Sequence, residues 1–551
     1  MIAAGTTGWS MSVDGVTASG ARLRREYAAL VICSVVLVML RLIGFGLPLE
    51  TDEANYAYIG ARLLAGDRLY VEVWDHQPPG AFMLFGAAGA IFGDREATYR
   101  GLATAASLAS LVSVFVILRR TTGSAATATL GAVLFSLASS DPGTAGEGCN
   151  REVFMNALIL GVWALLLRPE GGPKVGRVLV AGVLLGVASL LKTVVVVHWV
   201  AAVLMIAVCS GRGDKTLTAP SRSGAWVKAS ALAAGPAVIW TTVTVYFAAT
   251  GRGGLFLDAV FGFNLGYSDP GEPFLMRFVR FFSPPRHPHI FESARAVWVL
   301  GAAGAVITGA RLLRRRDCAR EAGMFLLAGA AYVATCLPAQ FWPHYYYLMI
   351  PPVTMLSAVV ASDAAVQVGR RGPGFTLMAR ALLILPAAWL GYAQAKAYVL
   401  APPLKITESR YNSRDFWARV HGLKVRAVTE PADQVFVYGS DAGVYFYAGR
   451  RCASRYTMIG SLDARYPGSA DRRRTLIEDL RRNRPRLILR TGEAMFPEFD
   501  RLLSEEYERI GVDHHDHRPG EIILVVYADR RRPVAAIDWE WDRSEAARLN
   551  E

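Results

Sequence analysis

The chain has 551 residues, 53% of them hydrophobic, and a formal net charge of +13; so apolar a composition excludes a single soluble domain of this length. Residues 1–400 hold 33 Lys/Arg and 22 Asp/Glu, while residues 401–551 hold 26 and 24, so a membrane part followed by a charge-dense soluble domain is expected. Most of the basic excess falls in the apolar part, where it marks cytoplasmic loops rather than a nucleic-acid partner.

Residues 1–26 read as a cytoplasmic segment. Arg22, Arg24 and Arg25 precede the first long apolar run, Tyr27–Phe45. That run lacks a small-residue cleavage site and is too long for a signal h-region, so it is expected to stay as the first helix of a membrane domain covering 27–400. Three carboxylates, Glu50, Asp52 and Glu53, follow it; Thr51 or Asp52 is a good N-cap for a helix starting at Glu53. Next comes Trp74-Asp75-His76-Gln77-Pro78-Pro79-Gly80, whose paired prolines force an extended backbone ahead of the apolar run Gly80–Phe92. With about 13 residues that run suits an interfacial or re-entrant segment better than a span.

Further apolar runs fall at about 97–118, 124–138, 153–167, 177–210, 227–248, 295–313, 322–338, 344–361 and 380–398. A spanning helix needs roughly 20 residues, so 177–210 reads as two helices with a turn near Lys192, and the total comes to about 11 transmembrane helices. With Gly80–Phe92 non-spanning, 20 Lys/Arg fall on the cytoplasmic side, in clusters such as Arg119/Arg120, Arg168/Lys174/Arg177, Arg212/Lys215/Arg222/Lys228 and Arg311/Arg314/Arg315/Arg316/Arg320, against 10 outside. This is the distribution that the positive-inside rule requires of a multi-pass protein of the cell membrane. The outer side then receives Thr51–Phe92, Ser139–Glu152, Gly251–Ala294, Gln340–Tyr345 and the whole of 401–551.

That last segment reads as a compact extracytoplasmic α/β domain able to fold alone. Residues 434–438, 486–490 and 521–527 are strand-like, and Arg472–Asn483 has helical spacing with Leu476, Ile477 and Leu480 on one face. It holds no glycine-rich phosphate loop, no nucleophile elbow and no repeat. Among the cysteines, Cys33, Cys209 and Cys336 lie in apolar runs and Cys318 in a basic loop. Cys149 and Cys452 both fall outside and could pair, though nothing in the sequence demands it.

The residues able to carry chemistry gather in the outer loops. Carboxylates directly after a membrane helix are costly to desolvate, so Asp52 and Glu53 are expected in a wet or cation-lined cavity, unless they only cap a helix. Asp75 and His76 fit phosphate or metal binding as well as ordinary turn chemistry. Glu147, Asn150, Arg151 and Glu152 fill the second outer loop, where a helix N-terminus by itself favours acid. The cluster Phe341-Trp342-Pro343-His344-Tyr345-Tyr346-Tyr347 is accounted for by an aromatic belt, except for His344.

The order of these pieces resembles a known group. Asp52-Glu53-x-x-Tyr56-Ala57, then Asp75-x-x-Pro78-Pro79, then an acidic residue before a later helix, Glu152, are similar to the GT-C superfamily of glycosyltransferases. The similarity is greatest to bacterial members related to the protein O-mannosyltransferases and the lipid A aminoarabinose transferase. Leu185–Lys192 resembles the family's glycine-to-lysine segment and His344-Tyr345 its His-Tyr pair; together they cover roughly residues 28–400. Val437-Tyr438-Gly439 and Tyr447-Ala448-Gly449-Arg450-Arg451 resemble pieces of the outer domain of many bacterial members. Relatives commonly carry Asp where this chain has Glu152, which leaves Glu147 and Glu152 as alternatives for that position.

The resemblance implies a polytopic α-helical membrane enzyme that moves a sugar from a polyprenyl-phosphate donor to an acceptor hydroxyl of a glycan, lipid or protein, with inversion, on the extracytoplasmic face. The departing lipid phosphate is a stable anion, so the two flanking carboxylates of glycoside hydrolysis are not needed. One base must take the acceptor proton, and cations must hold the developing phosphate charge. Asp52, with Glu53 beside it, is the candidate base. Tyr56, Asp75, His76, Arg100, Lys192, His344 and Tyr345 are candidate substrate-binding groups, with a possible divalent metal (Mg or Mn) at Glu152 or Glu147, or with Asp75 or Asp52 contributing. The competing class is a lipid or sugar transporter or flippase, which calls for ionisable residues at the bilayer midplane and interrupted helices in symmetric halves. Only Arg41 and Lys192 sit deep enough for it, and no internal repeat is present.

Overall fold

The structure is a computed structural model that describes residues 13–167, 173–210, 222–269, 271–285, 287–314, 319–401, 405–406, 414–491, 495–514 and 522–540. Arg168, Arg212, Lys215, Arg315, Arg316 and Cys318 lie outside the described residues.

The membrane part is helical throughout. Its elements are α1 (Val13–Leu42), α2 (Thr51–Leu64), α3 (Gly80–Phe92), α4 (Glu96–Thr122), α5 (Ala125–Ala138), α6 (Arg151–Leu166), α7 (Val175–Ser189), α8 (Val196–Ser210) and α9 (Arg222–Ala249). Three short helices follow, α10 (Gly253–Leu257), α11 (Phe263–Tyr267) and α12 (Met276–Arg280), then α13 (Arg295–Arg314), α14 (Ala319–Cys336), α15 (Ile350–Gly369) and α16 (Thr376–Tyr398). Among the described residues, five helices are long and apolar enough to cross a membrane by length and composition: 96–122, 224–249, 295–314, 343–369 and 373–398. Gly80–Phe92 forms a separate helix of 13 residues, and the 177–210 run breaks into two helices with a turn at Lys192.

Small residues let the helices approach. A Cβ on Gly60 of α2 would fall 2.5 Å from the Gly86 backbone N of α3, and one on Gly235 of α9 would fall 2.3 Å from the Gly182 carbonyl carbon of α7. Such contacts take the place of hydrophobic driving force where the surroundings are as apolar as the helices. The buried Arg41 turns its guanidinium onto the carbonyls of Gly146 (2.6 Å), Ser139 (3.1 Å) and Gly148 (3.3 Å) and onto the Tyr347 hydroxyl (3.1 Å). This deep charge therefore pins the 139–150 loop, which leads into α6.

The start of α2 differs from expectation. Its N-cap is Glu50, not Thr51 or Asp52: the Glu50 carboxylate accepts from Asp52 N (3.0 Å), while the Glu53 carboxylate accepts from Glu50 N (3.0 Å). This reciprocal arrangement satisfies two orphan amides at once. It ties up Glu50 and Glu53 and leaves the Asp52 side chain with no part in the cap.

The C-terminal region is an α/β unit. Its five strands are β1 (Gln434–Tyr438), β2 (Arg451–Cys452), β3 (Leu487–Arg490), β4 (Tyr507–His514) and β5 (Ile522–Asp529). They lie in the order β2-β1-β3-β5-β4, with β2, β1 and β3 parallel and β5 antiparallel to both β3 and β4. β4 was not anticipated, because residues 507–514 carry Glu508, Arg509 and Asp513 and bury only two of eight positions. The unit is not separate from the membrane part, since one buried hydrophobic cluster runs through both. Cys452 N donates to the Tyr58 hydroxyl (2.7 Å), Leu49 N to the Tyr447 hydroxyl (2.9 Å), and Trp74 N to the Arg455 carbonyl (2.9 Å). Cys149 and Cys452 are free buried thiols and do not form the disulfide that their shared side allowed.

Candidate active site

A cavity of about 640 Å³ lies where the N-terminus of α2, the 74–77 loop, the start of α6, α11, the 340–345 segment and the C-terminal unit meet. From the membrane part it is lined by Asp52, Tyr56, Trp74, Asp75, His76, Arg151, Phe263, Tyr267, His344 and Tyr345. From the C-terminal unit it is lined by Arg414, Tyr438, Ser440, Thr457 to Tyr466, and Arg473. Tyr438 and Ser440 stand at the carboxyl end of the parallel strand β1, where open α/β sheets place their ligands.

Asp52 is the accessible acid that the membrane part gives this cavity; Asp463 of the C-terminal unit is accessible as well, but is paired with Arg465. The Asp52 side chain keeps 30% of its surface, whereas that of Asp75 keeps 3%. The Tyr56 hydroxyl lies 3.5 Å from Asp52 Oδ2, and His344 Nε2 lies 3.8 Å from the same oxygen. Asp75 instead accepts from Asn55 Nδ2 (2.7 Å) and Gln77 N (3.0 Å). Burial, reinforced by the charge of Asp52, raises its carboxyl to about 7. His76 goes the other way: burial and the cations Arg151 and Lys192 hold it down at about 3, so it is neutral at physiological pH. Gln77 Nε2 is 2.6 Å from His76 Nε2 and must donate to it. That leaves the ring proton on Nδ1, 3.4 Å from Asp75 Oδ1.

Besides Arg414, Arg465 and Arg473 of the C-terminal unit, the cavity has a buried cation from the membrane part, one that was not among the expected site residues. Arg151, the first residue of α6, is 1% exposed, and its Nε and Nη1 have no hydrogen-bond partner among the described residues. Its guanidinium carbon is 5.5 Å from the Tyr56 ring centre, and its Nε is 3.8 Å from Glu152 Oε1, beyond hydrogen-bond reach. A buried guanidinium with unpartnered donors, on a residue that lines the cavity, suits an anion, above all one offering a fork of oxygens. Behind it, Glu152 accepts from Lys192 Nζ at 2.8 Å, and that ammonium sits 3.2 Å from the centre of the Tyr345 ring. Lys192 and Glu152 thus back the wall without lining it. The only hint of Arg151 in the sequence was its place beside Glu152, and the dipole of a helix N-terminus argues for the acid rather than the base.

Glu53 and Arg100 lie outside the cavity. Arg100 Nη2 is 3.5 Å from Glu53 Oε2 and 2.8 Å from the Pro48 carbonyl, and its Nη1 is 3.1 Å from the Glu147 carbonyl. Glu53 Oε1 also accepts from Cys149 N at 2.5 Å. Both side chains are almost wholly buried and together fasten α2 to α4 and to the 139–150 loop. Glu147 accepts from the Tyr398 hydroxyl at 3.1 Å and is likewise removed from the cavity. Among the described residues no three His, Cys, Asp or Glu side chains are grouped to hold a metal ion. Of the candidate ligands, Glu147 is engaged by Tyr398 and Glu152 by Lys192, while Asp52 and Asp75 lie on the cavity wall.

Comparison with known proteins agrees with this architecture. The family described as dolichyl-phosphate-mannose-protein mannosyltransferase matches residues 76–250; no curated protein matches the sequence. Among solved structures, ArnT from Cupriavidus metallidurans in the apo state is similar at 16% identity, over 93% of this chain and 98% of that one, with a TM-score of 0.58. ArnT bound to undecaprenyl phosphate is similar at 14% identity, over 90% and 97%, with a TM-score of 0.58. The Archaeoglobus fulgidus oligosaccharyltransferase tethered to an acceptor peptide is similar at 13%, over 93% and 74%, with a TM-score of 0.52. At such identities these likenesses establish a common fold, and with the family match they bear out the GT-C resemblance.

Proposed function

We propose that this chain transfers a sugar from a polyprenyl-phosphate donor to an acceptor hydroxyl, on the extracytoplasmic side of the membrane and with inversion. The observation that carries this reading is an accessible carboxylate free of any arginine pairing, Asp52, sharing a cavity with Arg151, whose Nε and Nη1 have no hydrogen-bond partner among the described residues, with Tyr56 against both. The undecaprenyl phosphate bound by ArnT and the acceptor peptide bound by the oligosaccharyltransferase, both on this fold, support a lipid phosphate and an acceptor as the two ligands.

The chemistry follows from the groups present. The acceptor hydroxyl oxygen attacks the anomeric carbon as the bond from that carbon to the phosphate oxygen breaks. The electron pair leaves on the lipid phosphate, and the acceptor proton passes to an Asp52 carboxylate oxygen. Arg151 meets the negative charge gathering on the phosphate. Lys192, paired to Glu152 behind Tyr345, is a nearly neutral ion pair that backs this wall, in surroundings where each charge acts more strongly than in water. Neutral His76 and buried Asp75 offer fixed hydrogen-bonding surfaces rather than a second base. The excess of Lys and Arg in the loops on the opposite side, read by the positive-inside rule, supports the outer side for this cavity.

The test is a panel of radiolabelled polyprenyl-phosphate sugars offered to membranes holding the full chain. Transfer from one of them is expected, with transfer about 10–100-fold lower from a chain carrying Arg151→Gln at the same subsaturating donor concentration. Losing charged hydrogen bonds should raise the donor KM by about 10–100-fold. Silence of the unaltered chain with every donor would overturn the reading.

A further inference from the structure

Three buried side chains form an unbroken hydrogen-bonded line from the C-terminal unit into the cavity. The Thr457 hydroxyl donates to Asn55 Oδ1 at 2.7 Å, and Asn55 Nδ2 donates to Asp75 Oδ2 at 2.7 Å. Thr457 is 1% exposed, Asn55 0% and Asp75 4%. With Asp75 ionised, the direction of each bond is set by chemistry. A carboxylate then only accepts, so Asn55 turns its amide NH₂ to Asp75 and its carbonyl to Thr457, whose hydroxyl is the donor. Asp75 in turn holds the Nδ1 side of His76 at 3.4 Å. The line crosses between the two parts of the protein where Trp74 and Tyr456 run alongside each other, joined by the hydrogen bond from Trp74 N to the Arg455 carbonyl.

From this geometry we infer that Thr457 is a positioning residue of the membrane active site: it locks the Asn55 amide, which locks Asp75 and His76 in the cavity wall. The role rests on the transferase reading above. It makes the C-terminal unit a working part of the site rather than an appended domain. Without the hydroxyl, a buried amide oxygen loses its donor, a loss that low-dielectric surroundings make costly. Asn55 is then free to rotate, and the carboxylate and imidazole that it steadies lose their fixed placement.

The experiment compares Thr457→Val, which keeps the shape and removes the hydroxyl, with Thr457→Ser, which keeps the hydroxyl, in the full-length purified protein with the donor identified above. Misplaced groups next to a reaction centre cost about 10–100-fold in rate. Thr457→Val should therefore lower kcat by that factor, with donor KM nearly unchanged, and Thr457→Ser should restore kcat to within about twofold. Thr457→Ala removes the same hydroxyl without a β-branch and should behave as Val does, which covers a failure of the Val variant to fold. An active parent chain with undiminished kcat in the Val and Ala variants would overturn the relay alone. So would a Ser variant as poor as Val, or a loss confined to KM. A parent chain silent with every donor would instead overturn the transferase reading and this role with it.

Discussion

Asp75 lies in the loop between α2 and α3, outside the spanning helices, and burial with the nearby charge of Asp52 raises its carboxyl to about 7. An unfolded aspartate titrates at about 3.9, so the folded state holds a proton that the unfolded state releases between those values. The stabilisation from that proton is complete below pH about 4 and is lost as pH rises through 7. Asp75→Asn cannot titrate. Whatever constant offset the substitution brings, the Tm of the parent chain minus that of the variant should therefore shrink from pH 5 to pH 8. A difference that stays flat over this range would contradict the burial argument. At this scale the sequence was legible where a residue type is rare in its setting. Asp52, Tyr56, Asp75, His76, His344 and Tyr345 do meet in one cavity. Glu53 and Arg100 lie apart from it; a capping-box carboxylate and a buried ion pair are written with the same letters as a catalytic site.

Helix α2 carries the site at its first turn, so its seating decides where Asp52 points. Gly60 and Gly86 let α2 lie directly on α3, and a Cβ on Gly60 would come within 2.5–2.8 Å of backbone atoms of Gly86 and Phe82. These are main-chain atoms that no side-chain rotation can move aside. Gly60→Ala should therefore push α2 off α3, cut transfer by about tenfold or more through misplacement of Asp52, and lower the Tm. An unchanged Tm with full transfer would show that this contact has slack. Many elements were readable in advance: the short Gly80–Phe92 helix follows from its length, and the break at Lys192 from a run too long for one span. The cap at Glu50 was not readable, since Ser, Thr, Asp and Asn are the favoured cap residues and a glutamate succeeds here only through its reciprocal bond with Glu53.

For the whole molecule, the main departure is the way the C-terminal unit closes over the membrane part. Its charge density suggested an independent domain, but charge reports only its outer surface. Tyr58, Asn55, Leu49 and Trp74 of the membrane part are bonded to Cys452, Thr457, Tyr447 and Arg455 across some 400 residues of sequence. No local pattern encodes partners so far apart. Two outcomes follow. A chain ending at residue 400 should insert in the membrane yet transfer no sugar, because it lacks one wall of the cavity. Residues 401–551 alone should not melt cooperatively, because part of their hydrophobic cluster is supplied by the membrane part. Full transfer by the shortened chain would place the site wholly within the membrane helices.

The central claim is that Asp52 takes the acceptor proton, and Asp52→Asn measured with the true donor tests it most directly. Glu50 and Glu53, not Asp52, close the cap of α2, and asparagine nearly matches aspartate in shape, so the variant should insert and melt like the parent chain. Loss of a general base should lower turnover by about 10²–10⁴, with donor binding largely kept. Full turnover in the Asn variant, at an unchanged Tm, would contradict the account.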